Sequence, residues 1–227
     1  MGKKIKCKEC LNRSASLKNL TKEQLLILEN NSVQILFKKG ENIFKQDALS
    51  TNVAFLREGI TKLHMQGPSR EKILKIVKGP IYLGIPTAFS DKINQYSATA
   101  ISSCSVCFID SNTFRNFIYT NGKYAYEIIV ELCKNELSDY NRFASQTQKQ
   151  TNGLVAETLL CMSDHIFKSD TFDFPLTRSE IGDLIGTSRE NVSRILTDFK
   201  KENIIELNGT EISILNKNLL EKISNKG

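Results

Sequence analysis

The segment Thr177-Arg-Ser-Glu-Ile-Gly-Asp-Leu-Ile-Gly-Thr-Ser-Arg-Glu190 constrains this 227-residue chain more than any other. Thr177-Arg-Ser-Glu180 is a capping box: the Thr hydroxyl accepts from the Glu amide while the Glu carboxylate reaches back. The helix it opens carries Ile181, Leu184 and Ile185 on one face and stops at Gly186, where a left-handed residue meets no steric cost. Thr187-Ser-Arg-Glu190 repeats the capping pattern, and the second helix buries Val192, Ile195, Leu196 and Phe199. Two short helices joined by a tight glycine turn make a helix-turn-helix.

That arrangement leaves Ser188, Arg189, Glu190, Ser193, Arg194 and Thr197 on the outer face of the second helix. In a helix-turn-helix the N-terminal part of this helix enters the major groove of a duplex. Arginine donates twice to guanine O6 and N7, and glutamate accepts from the cytosine amino group. Lys200 and Lys201, at the far end, suit backbone phosphates, and Thr177 is counted with the candidate DNA contacts. Ile204-Ile-Glu-Leu207, Asn208-Gly209 and Thr210–Leu215 follow. Asn-Gly between two apolar runs is a strong hairpin signal, and a hairpin behind the reading helix makes a winged helix. Helix-turn-helix geometry also occurs in plain helical domains. Bulk charge does not decide between them, because Thr171–Gly227 holds 8 Lys and Arg against 9 Asp and Glu. The local count favours DNA: Thr187–Lys201 has four basic and two acidic residues.

Upstream the text is different. From Val33 to about Ile109, short apolar runs (Val33–Phe37, Asn42–Phe44, Val53–Leu56, Thr61–His64, Ile73–Val77, Ala98–Ile101, Ser105–Ile109) are separated by turn signals such as Lys39-Gly40, Glu58-Gly59, Gly67-Pro68 and Gly79-Pro80. This spacing predicts an all-β barrel or roll. A short helix capped by Thr21 precedes it, and another follows over Ser111–Tyr119. A long helix is predicted from about Lys123 to Gln146, roughly 36 Å at 1.5 Å per residue. Within it Val130, Cys133, Leu137, Tyr140 and Ala144 recur at heptad-like spacing. The stripe either packs on its own domain or pairs with another helix; the helix's length favours pairing across a dimer axis. The expected class is therefore α+β: a cysteine-bearing tail (1–20), a β-roll sensor (21–120), a dimerisation helix (121–147) and a winged helix-turn-helix (148–227), with the polar run 147–152 as a hinge.

Composition excludes several classes. No apolar window is long enough to span a membrane, and the basic start MGKKIKCKECLNRSAS lacks the apolar core of a secretory signal, so a cytoplasmic location is expected. The net charge of +6 permits an anionic partner without demanding one. The common nucleotide-binding and hydrolase motifs are absent and there are only 2 histidines, so an enzyme is not expected. The 6 cysteines of a cytoplasmic chain should be thiols or metal ligands rather than disulfides.

Taken together, these features resemble the Crp/Fnr family of bacterial transcription regulators over nearly the whole chain. Phe37-Lys-Lys-Gly-Glu-Asn-Ile-Phe44, Arg57-Glu-Gly59 and Tyr82-Leu-Gly-Ile-Pro-Thr-Ala-Phe89 look like phrases of the family's effector domain, a cyclic-nucleotide-binding-like jelly roll. Leu176–Leu196 matches its helix-turn-helix closely. The resemblance implies a homodimer that binds double-stranded DNA and works with RNA polymerase. Glu190, Ser193 and Arg194 fall where Fnr-type members read DNA, which implies a TTGAT…ATCAA palindrome. The family phrase that usually ends in Gly-Asp reads Lys45-Gln-Asp47-Ala here, so that turn is expected to be rebuilt.

The resemblance places the effector contacts at Gly84, Ile85, Tyr96 and Ser97. Nucleotide-binding members carry Glu at the position of Ile85 and an Arg-Ser pair at Tyr96-Ser97. Without that Arg a buried phosphate lacks its bidentate partner, so a cyclic nucleotide is not expected. Fnr-type members hold an iron–sulfur cluster with N-terminal cysteines and one from the β-roll. Cys7, Cys10 and Cys107 are the corresponding candidates, while Ala15 or Ser16 stands near the place of a third tail cysteine. Residues three apart on a strand face opposite ways, which argues against Cys104 as the fourth ligand and against a four-cysteine zinc site. Three alternatives stay open: redox-active thiols in the C-x-x-C pairs, Cys104, Cys107, Cys133 and Cys161 as small buried hydrophobes, and a regulator that answers to no ligand.

Overall fold

The computed structural model describes residues 14–90 and 92–227. Two compact units emerge. One takes in the chain up to Pro68 together with Lys75–Glu136, the other Ser69–Leu74 with Leu137–Gly227.

The first unit opens with α1 (Ala15–Lys18) and α2 (Lys22–Asn30). Thr21 caps α2 with a complete capping box, its hydroxyl accepting from Gln24 N and its own N–H donating to Gln24 Oε1. The strands β1 (Ser32–Phe37), β2 (Asn42–Phe44), β3 (Asn52–Glu58), β4 (Ile60–Gln66), β5 (Glu71–Lys78) and β6 (Ile81–Leu83) follow. Helix α3 (Ile85–Phe89), strands β7 (Ser97–Ala100) and β8 (Cys104–Asp110), and helices α4 (Ser111–Thr120) and α5 (Gly122–Gln148) come next. The strands form two sheets, ordered β1-β8-β3-β6 and β2-β7-β4-β5, so the expected β-roll is present. α1, of 4 residues, and β6, of 3, were not expected from the sequence.

The antiparallel register sorts the first sheet's side chains. Phe55 opposes both Cys107 and Tyr82, and Val53 opposes Ile109, so these five share a face. They belong to a buried cluster with Leu17, Leu20, Leu25 and Leu28 from the first helices and Phe114, Phe117, Tyr124 and Ile128 from α4 and α5. Tyr82 lies 4.8 Å from Phe55 and 5.5 Å from Phe114, ring centre to ring centre. Its hydroxyl sits 3.2 Å from Ser16 Oγ and 3.4 Å from the Tyr124 hydroxyl. The buried Tyr82, Tyr124 and Ser16 hydroxyls thus each keep a partner, as a low-dielectric core requires. Asp47, in the rebuilt turn, adopts φ +62, a left-handed conformation that Asp tolerates, and its N–H donates to Asn94 O at 2.8 Å.

The second unit contains α6 (Thr151–Cys161), a π-helical turn over Met162–Phe167, β9 (Thr171–Asp173), α7 (Arg178–Ile185), α8 (Arg189–Lys201), β10 (Ile205–Asn208), β11 (Glu211–Ile214) and α9 (Lys217–Lys226). The apolar run from Leu154 to Phe167 reads as one helix and Lys168–Phe174 as a loop; the structure keeps α-helix only to Cys161, continues as the π-turn, and sets β9 within the loop. The three strands are ordered β10-β11-β9. α6 packs along α9 so closely that a Cβ on Gly153 would lie 3.0 Å from the backbone of Gly227. Among the described residues no helix is long and apolar enough to cross a membrane.

Candidate nucleic-acid interface

Helix α7 starts as its sequence dictates. Thr177 Oγ1 accepts from Glu180 N at 3.2 Å, and Thr177 N donates to Glu180 Oε2 at 2.8 Å. It ends at Gly186, φ +83, where the N–H groups of Gly186 and Thr187 both donate to Gly182 O, at 2.8 and 3.0 Å. That closure corrects the expected second capping box. Thr187 N is consumed in finishing α7, so α8 is capped by Ser188, whose Oγ accepts from Asn191 N at 3.2 Å. Thr187 Oγ1 accepts instead from the Asn191 side chain.

Four apolar residues anchor α8: Val192, Ile195, Leu196 and Phe199 are all under 5% exposed. Burial of this kind contributes roughly 1.5–3 kcal/mol per side chain, far more than any exposed polar pair. The core therefore fixes the helix and leaves its other face available for contact. Ser188, Arg189, Glu190, Arg194, Thr197, Lys200 and Lys201 are exposed there, with Ser193 half-buried. Backbone and Ser188 hydrogen bonds hold the Glu190 carboxyl below its usual range, so it stands ionised as an acceptor. Arg194 Nη1 lies 3.5 Å from Asp198 Oδ2. Thr197 Oγ1 donates to Ser193 O at 2.8 Å, and Lys200 Nζ donates to Leu207 O at 3.3 Å.

Beside α8 a cleft of about 470 Å³ brings together Thr177, Arg178, Ser179, Arg189, Gly209 and Thr210. It joins two guanidinium groups to the N-terminus of α7 and the tip of the β10–β11 hairpin. That combination suits a phosphate oxygen. Burial lowers the Arg178 pKa somewhat, and at that depth the group still carries its charge. Sequence reasoning missed Arg178, Ser179 and Thr210; the first-turn position of Arg178 was the available signal. The hairpin turn is also shifted by one residue, since Asn208 pairs with Glu211 and Gly209-Thr210 form the loop.

The remaining predicted residues lie elsewhere. On α5, Leu137 and Tyr140 are 62% and 60% exposed, Cys133 and Ala144 are exposed and Val130 is half-buried. Tyr126, Ile129 and Phe143 extend the same exposed apolar stripe. Gly84 adopts φ +76 at the start of α3, and its N–H donates to the Tyr96 hydroxyl at 2.9 Å. The Tyr96 ring packs 5.5 Å from Phe44, Ser97 Oγ accepts from Gln46 N at 2.9 Å, and Ile85 is buried.

Cys7 and Cys10 lie outside the described residues. Cys107 packs against the buried helix-side cluster, whereas Cys104 is buried on the opposite face of the sheet, its Sγ donating to Ile60 O at 3.3 Å. Cys104 therefore does not fit as a ligand shared with Cys107. Ser16 is 1% exposed and bound to Tyr82, which leaves it no ligand role either. Cys133 and Cys161 are exposed rather than buried, which corrects the expectation that they fill the core. Among the described residues no three His, Cys, Asp or Glu side chains converge on a metal position.

Residues 34–121 match the family described as cyclic nucleotide-binding domain, and residues 155–223 match the family described as Crp-like helix-turn-helix domain. The chain is 27% identical over 225 residues to the nitrogen fixation regulation protein FixK of Bradyrhizobium diazoefficiens, covering 96% of this chain and 93% of that one. It is 23% identical over 182 residues to the transcriptional activator protein FnrA of Stutzerimonas stutzeri, covering 78% and 75% of the two chains. The structure of FixK2 from Bradyrhizobium japonicum superposes with a TM-score of 0.76 at 19% identity, over 85% of this chain and 96% of that one. With a β-roll, a long helix and a helix-turn-helix in the same order as these proteins, the chain belongs to the Crp/Fnr family of DNA-binding transcription regulators.

Proposed function

We propose that two copies of this regulator pair along α5 and read a palindrome of TTGAT-like half-sites about one helical turn apart, with base-edge contacts from Arg189, Glu190, Ser193 and Arg194. The observation that carries the reading is the division of α8: every apolar anchor is buried and the groove-facing residues lead into solvent. The exposed stripe of α5 supports pairing, because a helix with an uncovered heptad seam buries it against a second helix. RNA polymerase is the expected further partner. The cleft at Arg178 and Arg189 takes a backbone phosphate and sets the register of the reading helix.

The β-roll takes no cyclic nucleotide in this reading. The Gly84 amide and the Ser97 hydroxyl are occupied by the protein's own Tyr96 and Gln46. A second reading, redox sensing through thiolates, is favoured by the placement of Cys107 on the face packed against Leu17 and Leu20, residues that follow Cys7 and Cys10 closely in sequence. In it Cys7, Cys10 and Cys107, with a fourth ligand other than Cys104, would hold an iron–sulfur cluster, which would supply oxygen-sensitive redox chemistry. Anaerobic purification with an absorption spectrum and an iron assay tests it; iron at background level removes the cluster.

The DNA-reading assignment is tested by Arg194→Ala. Fluorescence anisotropy with a TTGAT palindrome and with a scrambled duplex of equal length should show specific binding weakened by about 1–3 kcal/mol. Unchanged affinity and unchanged preference would overturn the assignment.

A further inference from the structure

The acidic residue on the reading helix that the proposed base contacts leave unexplained is Asp198. It breaks two local rules. It lies in the last turn of α8, where the helix dipole disfavours a carboxylate. Its side chain is also 44% exposed, on a helix that approaches a polyanion. A residue that offends both local stability and the partner's charge is expected where function repays it. The structure shows one partner for it: Oδ2 lies 3.5 Å from Nη1 of Arg194, one turn earlier, while the Arg194 side chain stays 62% exposed.

We propose that Asp198 is a positioning residue for Arg194, an inference that rests on the reading of Arg194 as a base contact. A guanidinium has five N–H donors in a rigid plane. The carboxylate engages one end of that plane and leaves the Nε–Nη2 edge for the paired acceptors of a guanine. Without Asp198 the long three-methylene arm of the arginine samples many rotamers, and the ordering entropy is lost on binding instead. The same carboxylate repels phosphates wherever Arg194 finds no guanine, which penalises non-specific complexes. Asp198 thus raises discrimination while lowering bulk attraction, a use of charge for specificity rather than affinity.

The test compares wild type, Asp198→Ala, Asp198→Glu, Arg194→Ala and the double variant on the TTGAT palindrome and on a scrambled duplex across a salt series. All substituted positions are solvent-facing, and circular dichroism checks that each variant folds. Asp198→Ala is expected to lower the ratio of specific to non-specific affinity by about two- to fivefold, and Asp198→Glu to restore most of it. In the Arg194→Ala background, removing Asp198 should leave the ratio unchanged. An unchanged ratio in Asp198→Ala overturns the proposal, as does an equal change in both backgrounds, which marks a charge effect alone. If Arg194→Ala itself keeps the wild-type ratio, the base-contact assignment falls, and the Asp198 proposal with it.

Discussion

Gly182→Ala separates helix propensity from turn geometry. Gly182 sits inside α7, where Ala is normally favoured by about 0.8–1.0 kcal/mol. A Cβ there would lie 2.7 Å from Thr187 O, well inside contact distance, and 3.4 Å from the Ser188 carbonyl carbon. Both atoms are backbone, so no side-chain rotation relieves the clash. Overpacking of this kind costs about 1–3 kcal/mol, so the propensity gain is cancelled and up to ~2 kcal/mol is lost net, with Tm lower by roughly 2–4 °C per kcal/mol. The atoms that must move are those that place Ser188, the cap of the reading helix. DNA affinity should therefore fall at least about tenfold, the worth of one good bidentate contact. Gly186→Ala is the control. It forces a side chain onto φ +83 at ~1–2 kcal/mol, but its Cβ meets only the Lys72 ammonium at 3.7 Å. It should lose similar stability while the folded protein binds DNA nearly as wild type does. Urea denaturation and anisotropy measure both. A Gly182→Ala protein as stable as wild type, with unchanged affinity, would refute the packing argument.

Three further outcomes are expected. Arg178→Ala should weaken binding about uniformly across sequences and lower the salt slope by about 1, read from anisotropy over a salt series. Leu137→Glu places a charge in the exposed α5 stripe; size-exclusion chromatography with light scattering should show a folded monomer and palindrome binding should be lost. Burial holds the Glu131 carboxyl above its ordinary 4.5, opposed by the Tyr82 N–H that donates to it at 3.3 Å. The folded state then binds more protons than the unfolded one between 4.5 and the raised value, so stability falls as pH rises through that window. Glu131→Gln keeps the acceptor and removes the charge: its Tm should exceed wild type at about pH 7.5 and converge with it toward about pH 4.

Local punctuation made the reading unit legible. A capping box at Thr177, a glycine at 186 and four spaced apolar residues each carry a distinct physical demand, and they agree. The error at Thr187 arose because Thr and Ser are both competent caps; the choice was settled by a hydrogen bond back to Gly182, which a forward reading of caps does not anticipate. β9 was illegible because its three residues hold one apolar side chain, Phe172, and its partner strand lies forty residues on. The π-turn at Met162–Phe167 has the composition of an ordinary helix, so nothing in the residues announces it. The effector segment was legible as a departure, Tyr in place of Arg. That the Tyr hydroxyl takes the Gly84 amide is a tertiary fact.

The separation of duties on α8 bears on how such a regulator diverges. Val192, Ile195, Leu196 and Phe199 carry the attachment to the domain, so the exposed positions 189, 190 and 194 contribute little to it. Exchanging these exposed side chains leaves every apolar anchor of α8 in place. On the proposed reading of α8, new operator preferences are then reachable by single steps that leave the β-roll and α5 unaltered.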